Sequence, residues 1–469
     1  MIRDFRGTAL IDVSTPEKEY EKGFFPLAQV FDCSEWRRGH GEFWNHDRDK
    51  TRQFDQFEKL VIDRFKQYLL PVITLLKQTP KEAVCQVFEK VNTGGVSLTV
   101  FELLTATFAA DDFNLRDDWS ARRHAVRAKK LLHVVREDDF LQAISLLATH
   151  ERRLRVVAGG TSPSEAPGIS CKRKDILRLS LSDYRSWSDR VSAGFETAAQ
   201  SLHQQRIFRG EDLSYRTQLV PLAAIFTALG DVGRTDGARQ KVMRWYWCGV
   251  FGELYGGAIE SRFAKDLAEV VEWVRGGPEP TTVTEASFNA ARLHTLRTRN
   301  SAAYKGLYAV LIRDGGLDFR SGDAIDNQIY FDESIDIHHI FPRKWCDEHQ
   351  IPAKRYDSII NKTAISAKTN RIIGGRAPSI YLAALQRQAD ISPDRMDQIL
   401  QSHVIDQALL RADDFEAFFQ ARAMSLLARI EQAMGKKVSR ELPTADESDL
   451  FSDSSESLDD DESTQRSGV

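Results

Sequence analysis

Along most of this chain apolar residues recur at steps of three and four, the period of an amphipathic helix. Between Ala238 and Tyr255, the residues Met243, Tyr246, Trp247, Val250 and Leu254 share one helical face, and Gly256-Gly257 interrupts it. A following helix carries Phe263, Leu267, Val270, Val271 and Val274 on one side. It stops at Gly276-Gly277-Pro278, because glycine reaches the left-handed terminal conformation and proline cannot continue a helix. The same period predicts helices over Gln56–Leu70, Arg122–Arg136, Asp138–Ala148, Leu213–Leu229, Glu285–Arg299 and Ala302–Arg313. Strand patterns are confined to Val84–Val91 and to the region from Leu317 to Ser366. The breaker-rich stretch from Ala158 to Gly168 reads as an exposed loop. The pattern therefore predicts a mainly α protein with small α+β parts.

Composition adds boundaries to this picture. With 42% hydrophobic and 28% charged residues in 469, the chain has apolar material for more than one core. Its longest apolar runs, Leu69–Leu76 and Leu219–Phe226, are far shorter than the ~20 residues of a membrane-spanning helix. Met1–Arg6 carries no apolar signal core, and Cys33, Cys85, Cys171, Cys248 and Cys346 form no C-x-x-C pair. A reduced, cytoplasmic protein without structural zinc or membrane contact is expected. The net charge of −4 hides an asymmetry: residues 441–469 hold ten acids and one arginine, leaving the remainder at +5. Such a tail is too poor in apolar residues to offset the entropy of ordering, so disorder is predicted. A basic body with an acidic tail suits a nucleic-acid partner screened by an intramolecular competitor, and many acidic tails serve only solubility.

Two segments carry candidate chemistry. In the first, an apolar stretch from Val87 meets the turn Asn92-Thr93-Gly94-Gly95 and then a helix whose start is specified by Thr99 and Glu102 as a capping box. The glycines fit a tight turn with positive φ. They also fit a backbone anion site, although no P-loop lysine and serine follow them. The second segment runs Ile335-Asp-Ile-His-His-Ile-Phe-Pro-Arg-Lys-Trp345 and then Asn361-Lys-Thr-Ala-Ile-Ser-Ala-Lys-Thr-Asn-Arg371. It holds the only adjacent pair among the 11 histidines. Alternation of Ile335 and Ile337 with Asp336 and His338 predicts a short strand that Pro342 ends. A second strand is expected at Lys362–Ile365, with Ser366 capping a short helix that bears Asn370 and stops at Gly374-Gly375. Each of these polar residues taken singly is more often structural. Together, in this order, they bring a base, an orienting amide and two metal ligands to one point, as single-metal phosphodiester hydrolysis requires.

At these residues the sequence resembles the HNH, or ββα-metal, nucleases, specifically the C-terminal domain of GmrSD-type modification-dependent restriction enzymes. The resemblance implies His338 as a metal ligand, His339 as the general base, Asn361 as the orienting residue and Asn370 as the second ligand. Asp336 is an additional ligand or orienting group, and Arg343, Lys362, Lys368 and Arg371 are candidates for phosphate contact. A mixed imidazole and amide set open to water favours Mg²⁺ or Mn²⁺, with Ni²⁺ or Zn²⁺ as in vitro substitutes. The stretch Phe88–Thr99, continuing to Glu102-Leu103, resembles the second signature of the ParB-like N-terminal domain of the same enzymes. The first, nucleotide-handling signature, Asp-Gly-Gln-Gln-Arg, does not occur between Met1 and Val91. His203-Gln204-Gln205-Arg206 lies downstream and lacks the Asp-Gly turn. The expected layout is a partial ParB-like domain (1–110), a helical connecting region (111–300), a ββα-metal domain with flanking helices (301–440) and the tail (441–469). The implied activity is metal-dependent DNA cleavage in bacterial defence. The alternative is a non-cleaving DNA-binding or regulatory subunit that docks to a protein supplying the missing segment.

Overall fold

A computed structural model of the chain describes residues 2–3, 9–70, 72, 98–257, 259–333 and 335–438. The turn Asn92-Thr93-Gly94-Gly95, the strand expected at Val84–Val91 and the acidic tail lie outside these residues. The chain divides into two compact units, Met1–Pro80 and Lys81–Val469.

In the first unit, β1 (Ile2–Arg3) pairs antiparallel with β2 (Ala9–Ile11), a hairpin too short to leave a periodic signal. Helix α1 (Pro16–Lys22) is capped by Thr15 and closed by Gly23 at φ 70°. It is followed by α2 (Ser34–Phe43) and by α3 (Arg48–Phe57), which runs through a wide turn at Glu58–Ile62 into α4 (Asp63–Gln67). Trp36, Phe54 and Ile62 form the buried centre of a small aromatic core with Tyr20, Phe25 and Phe57 against it.

The second unit is helical. Its first described helix is α5 (Val100–Ala109), where Thr99 and Glu102 form both halves of the capping box. Helix α6 (Leu115–Arg127) starts seven residues before the expected Arg122, because the Asn114 side chain caps it by accepting from the Arg116 and Asp117 N–H groups. Next come α7 (Glu137–Ala158), α8 (Leu181–Gln204) and α9 (Leu219–Leu229). Helix α9 is apolar on every side because α7, α8 and α11 (Ile259–Val274), which follows α10 (Asp236–Phe251), surround it. Gly194 on α8 allows the approach: a Cβ there would stand 2.6 Å from the Ala223 carbonyl oxygen. Helix α12 keeps the expected bounds, Ala302–Arg313.

One expectation is corrected. No long helix spans Glu285–Arg299; only Thr281–Glu285 and Arg292–Thr295 are helical there. The Asn289 side chain accepts from the Ala291 N–H at 2.9 Å and diverts the backbone, while burial of Phe288, Ala290 and Leu293 supplies the apolar pattern without a helix. Residues 110 and 300 both fall within the unit Lys81–Val469. One continuous core runs from Val100 and Phe108 through Trp245 to Phe418 and Met434, so the helical region and the candidate nuclease elements share their packing.

Within this unit β3 (Asp336–His339) precedes α13 (Arg343–Glu348) and pairs antiparallel with β4 (Lys362–Ile365), placing His338 opposite Thr363 and His339 opposite Lys362. Helix α14 (Ala367–Ile373) follows directly. It starts where expected, with Ser366 Oγ accepting from the Thr369 N–H at 3.1 Å, and ends at Gly374 with φ 52°. Helices α15 (Pro378–Ala389), α16 (Pro393–Ser402) and α17 (Phe415–Met434) complete the unit. The chain is thus mainly helical with a small two-stranded β element at the candidate chemistry, and among the described residues no helix is long and apolar enough to cross a membrane.

Candidate active site

The β3–β4 pair is fixed from both sides by apolar packing. Ile335 and Ala364 belong to a satellite cluster with Phe208, Ile312 and Tyr330, while Ile340, Phe341 and Ile365 enter the main core. Buried polar groups then set the register of β4. Thr363 Oγ1 lies 2.6 Å from His403 Nδ1, and His403 Nε2 donates to the Leu317 carbonyl at 2.7 Å. Because a carbonyl only accepts, the proton sits on Nε2 and the Thr363 hydroxyl donates to Nδ1. Arg422, also buried, donates to the carbonyls of His403 and Lys362 at 2.6 and 3.0 Å. Asp318 accepts from the Ser366 N–H at 2.9 Å and from the Thr369 hydroxyl, which anchors the first turn of α14. Burial pushes the Asp318 carboxyl up, and the bonds from Ser366, Ser321 and Arg320 outweigh it, leaving it below the ordinary range.

On this frame His339 is half-buried, and its Nε2 lies 2.8 Å from Asp357 Oδ1. With Asp357 ionised, Nε2 donates and the lone pair resides on Nδ1. Burial holds the His339 imidazole below its ordinary pKa, against the pull of Asp357, and Lys362 and Arg343 lower it further. His338 is also lowered, by burial and then by its neighbours His339 and Arg299. Both shifts favour the neutral imidazole.

Asn361 is fully buried, and its side chain bonds to neither imidazole. Its Oδ1 accepts from the Phe341 N–H at 2.9 Å, and its Nδ2 donates to the carbonyls of Phe341 and Tyr356 at 2.9 and 3.1 Å. Together with the bond from the Ile340 N–H to the Asn361 carbonyl at 2.8 Å, this ties the segment after β3 to the segment before β4. The group that orients His339 directly is Asp357, which the sequence reading missed; its only signal was a carboxylate four residues before Asn361.

The remaining expected residues separate. His338 and Asn370 make no side-chain hydrogen bond among the described residues, so both have donor atoms to spare. Asp336 is ion-paired with Arg299. Lys362 is committed elsewhere: its ammonium donates to the Arg297 carbonyl at 2.9 Å. Lys368 pairs with Glu333 at 3.1 Å, and Arg343 stands 3.7 Å from Asp347. Arg371 is exposed without an ion pair among the described residues. Among those residues no three histidine, cysteine, aspartate or glutamate side chains gather as a metal cluster. The donors that remain, the His338 imidazole and the Asn370 amide oxygen, are of a chemistry that suits a hard divalent cation keeping several waters rather than a closed structural site.

No known protein family's sequence profile matches the chain. A protein of Methanocaldococcus jannaschii, described only as the uncharacterized protein MJ0686, is 25% identical over 456 residues, which cover 88% of this chain and 72% of that protein.

Proposed function

We propose that this chain is a metal-dependent DNA endonuclease of the HNH class, acting in bacterial defence against modified or foreign DNA. The observation that carries the reading is the His339–Asp357 pair on a β-β-α element whose helix bears Asn370 and whose first strand bears His338. Asp357 holds the imidazole through Nε2 and stabilises the imidazolium that forms when Nδ1 accepts a proton from the attacking water. The new bond joins that water's oxygen to phosphorus, and the bond to the 3′ oxygen breaks; that oxygen takes a proton from solvent and the imidazolium returns its own to solvent, leaving 5′-phosphate and 3′-hydroxyl ends. His338 and Asn370 are the residues that would hold a Mg²⁺ or Mn²⁺ ion, which would supply charge neutralisation at the phosphate and the leaving oxygen. Asn361 contributes indirectly, by keeping the segment after the strand that carries His339 in register with the segment that carries Asp357.

A second reading is favoured by the thin donor set and by the commitment of Asp336 to Arg299: a DNA-binding or regulatory subunit that keeps the ββα shape and docks to a partner protein. Plasmid nicking with Mn²⁺ separates the two. Cleavage by the wild type, lost in His339→Ala with duplex binding retained, is the expected result. Full cleavage by His339→Ala would remove the assignment of the base. Duplex binding by the wild type with no cleavage under Mg²⁺, Mn²⁺ or Ni²⁺ would establish the regulatory reading.

A further inference from the structure

Beside β3 a cavity of about 220 Å³ opens between α12 and the segment 209–212, with Ile337, the neighbour of His338, in its wall. Its lining is rich in donors whose capacity is unspent. The Tyr308 hydroxyl is buried and has no hydrogen-bond partner. Lys305 is half-buried, and its ammonium makes one bond, 3.3 Å to the Leu213 carbonyl, with no ion pair among the described residues. Burial pushes that ammonium below its ordinary pKa. Asp212 and Glu211 act on Lys305 through charge, yet neither is bonded to it: Asp212 is taken up by Arg209 and by the Tyr330 hydroxyl, at 3.3 and 2.9 Å, and Glu211 is exposed. Arg299 also lines the cavity while pairing with Asp336, so one guanidinium spans the cavity and the candidate catalytic strand.

A buried hydroxyl without a partner and an ammonium with one long bond both cost free energy unless an acceptor fills the space between them. A tetrahedral oxyanion offers several acceptor oxygens and a charge that matches Lys305 and Arg299. We propose that this cavity is a phosphate subsite, built by Lys305, Tyr308 and Arg299 to hold a backbone phosphate of the nucleic-acid strand flanking the bond presented to His339. The proposal rests on the nuclease reading for its substrate, and on the cavity alone for its chemistry. Holding a neighbouring phosphate fixes the strand's register against β3, which is a positioning role.

The test is duplex-oligonucleotide binding by the full chain in EDTA, where no cleavage interferes. Lys305→Met is expected to weaken binding about 3- to 10-fold at low salt and to reduce the slope of log affinity against log salt by about one phosphate contact. Tyr308→Phe is expected to weaken binding while leaving thermal stability unchanged or raised, since it removes a hydroxyl with no partner. That combination separates loss of a ligand contact from loss of folding. Unchanged affinity and slope in both variants would overturn the subsite. Tight binding of inorganic phosphate or a nucleoside monophosphate that duplex DNA fails to displace would overturn the nucleic-acid source. A wild type that cuts no DNA with Mn²⁺ yet shows the expected losses in EDTA would sink the nuclease reading and leave the subsite standing.

Discussion

Replacing Asn361 by alanine removes three hydrogen bonds from a site with no exposed surface. The Phe341 carbonyl still receives the Cys346 thiol at 3.5 Å, so the groups left without a good partner are the Phe341 N–H and the Tyr356 carbonyl. Each buried orphan costs about 1–3 kcal/mol, and a water entering the vacated space recovers part of that. The expected loss is about 3 kcal/mol, or a fall in Tm on the order of 5 °C for a unit of this size. Circular dichroism melts of wild type and variant measure it. Asn361→Asp sharpens the test, because it places a carboxylate oxygen against two carbonyls. Its folded pKa must then lie above the ~3.9 of an unfolded aspartate. The variant's deficit should be smallest below about pH 4 and grow as the pH rises toward the folded value, a trend absent from Asn361→Ala. An Asn361→Ala protein melting within a degree of wild type would refute the claim that this amide ties the two segments together.

Three further outcomes are expected. Burial, above all, lowers His403 to about 4 in the folded chain; against an unfolded value of ~6.5, stability should fall as the pH drops from about 6.5 to 4, by about 3 kcal/mol, and a His403→Gln variant should show a flatter urea-midpoint profile over that window. Gly194→Ala drives a Cβ into the Ala223 carbonyl and should cost about 1–3 kcal/mol through separation of α8 and α9, read as a lower denaturation midpoint; an unchanged midpoint would show that the pair has room. Deleting residues 441–469 removes a net charge of −9 and should tighten duplex binding at low salt, with the difference closing as salt rises; equal titrations at low salt would leave the tail no part in binding.

The chain itself determined what short-range physics can specify. The bounds of α12 and β4, the Ser366 cap, the stop at Gly374 and the Thr99–Glu102 capping box all follow from periodicity or from side chains that bond backbone within a turn or two. The tertiary structure decided what depends on groups far apart in sequence. Burial rather than helical pairing explains the apolar pattern of 286–296, since a residue packs the same way whether or not its backbone is helical. One core joins the regions on either side of residue 300, because helices from both bury their apolar faces against each other. The site was legible as a set of residue types, yet its wiring was not. Asp357 reaches His339 across a loop, Arg299 reaches Asp336 from the preceding segment, and the Arg297 carbonyl takes the Lys362 ammonium. None of these pairs has a fixed spacing, and each forms only because the chain closes around a shared core that brings its partners within bonding distance.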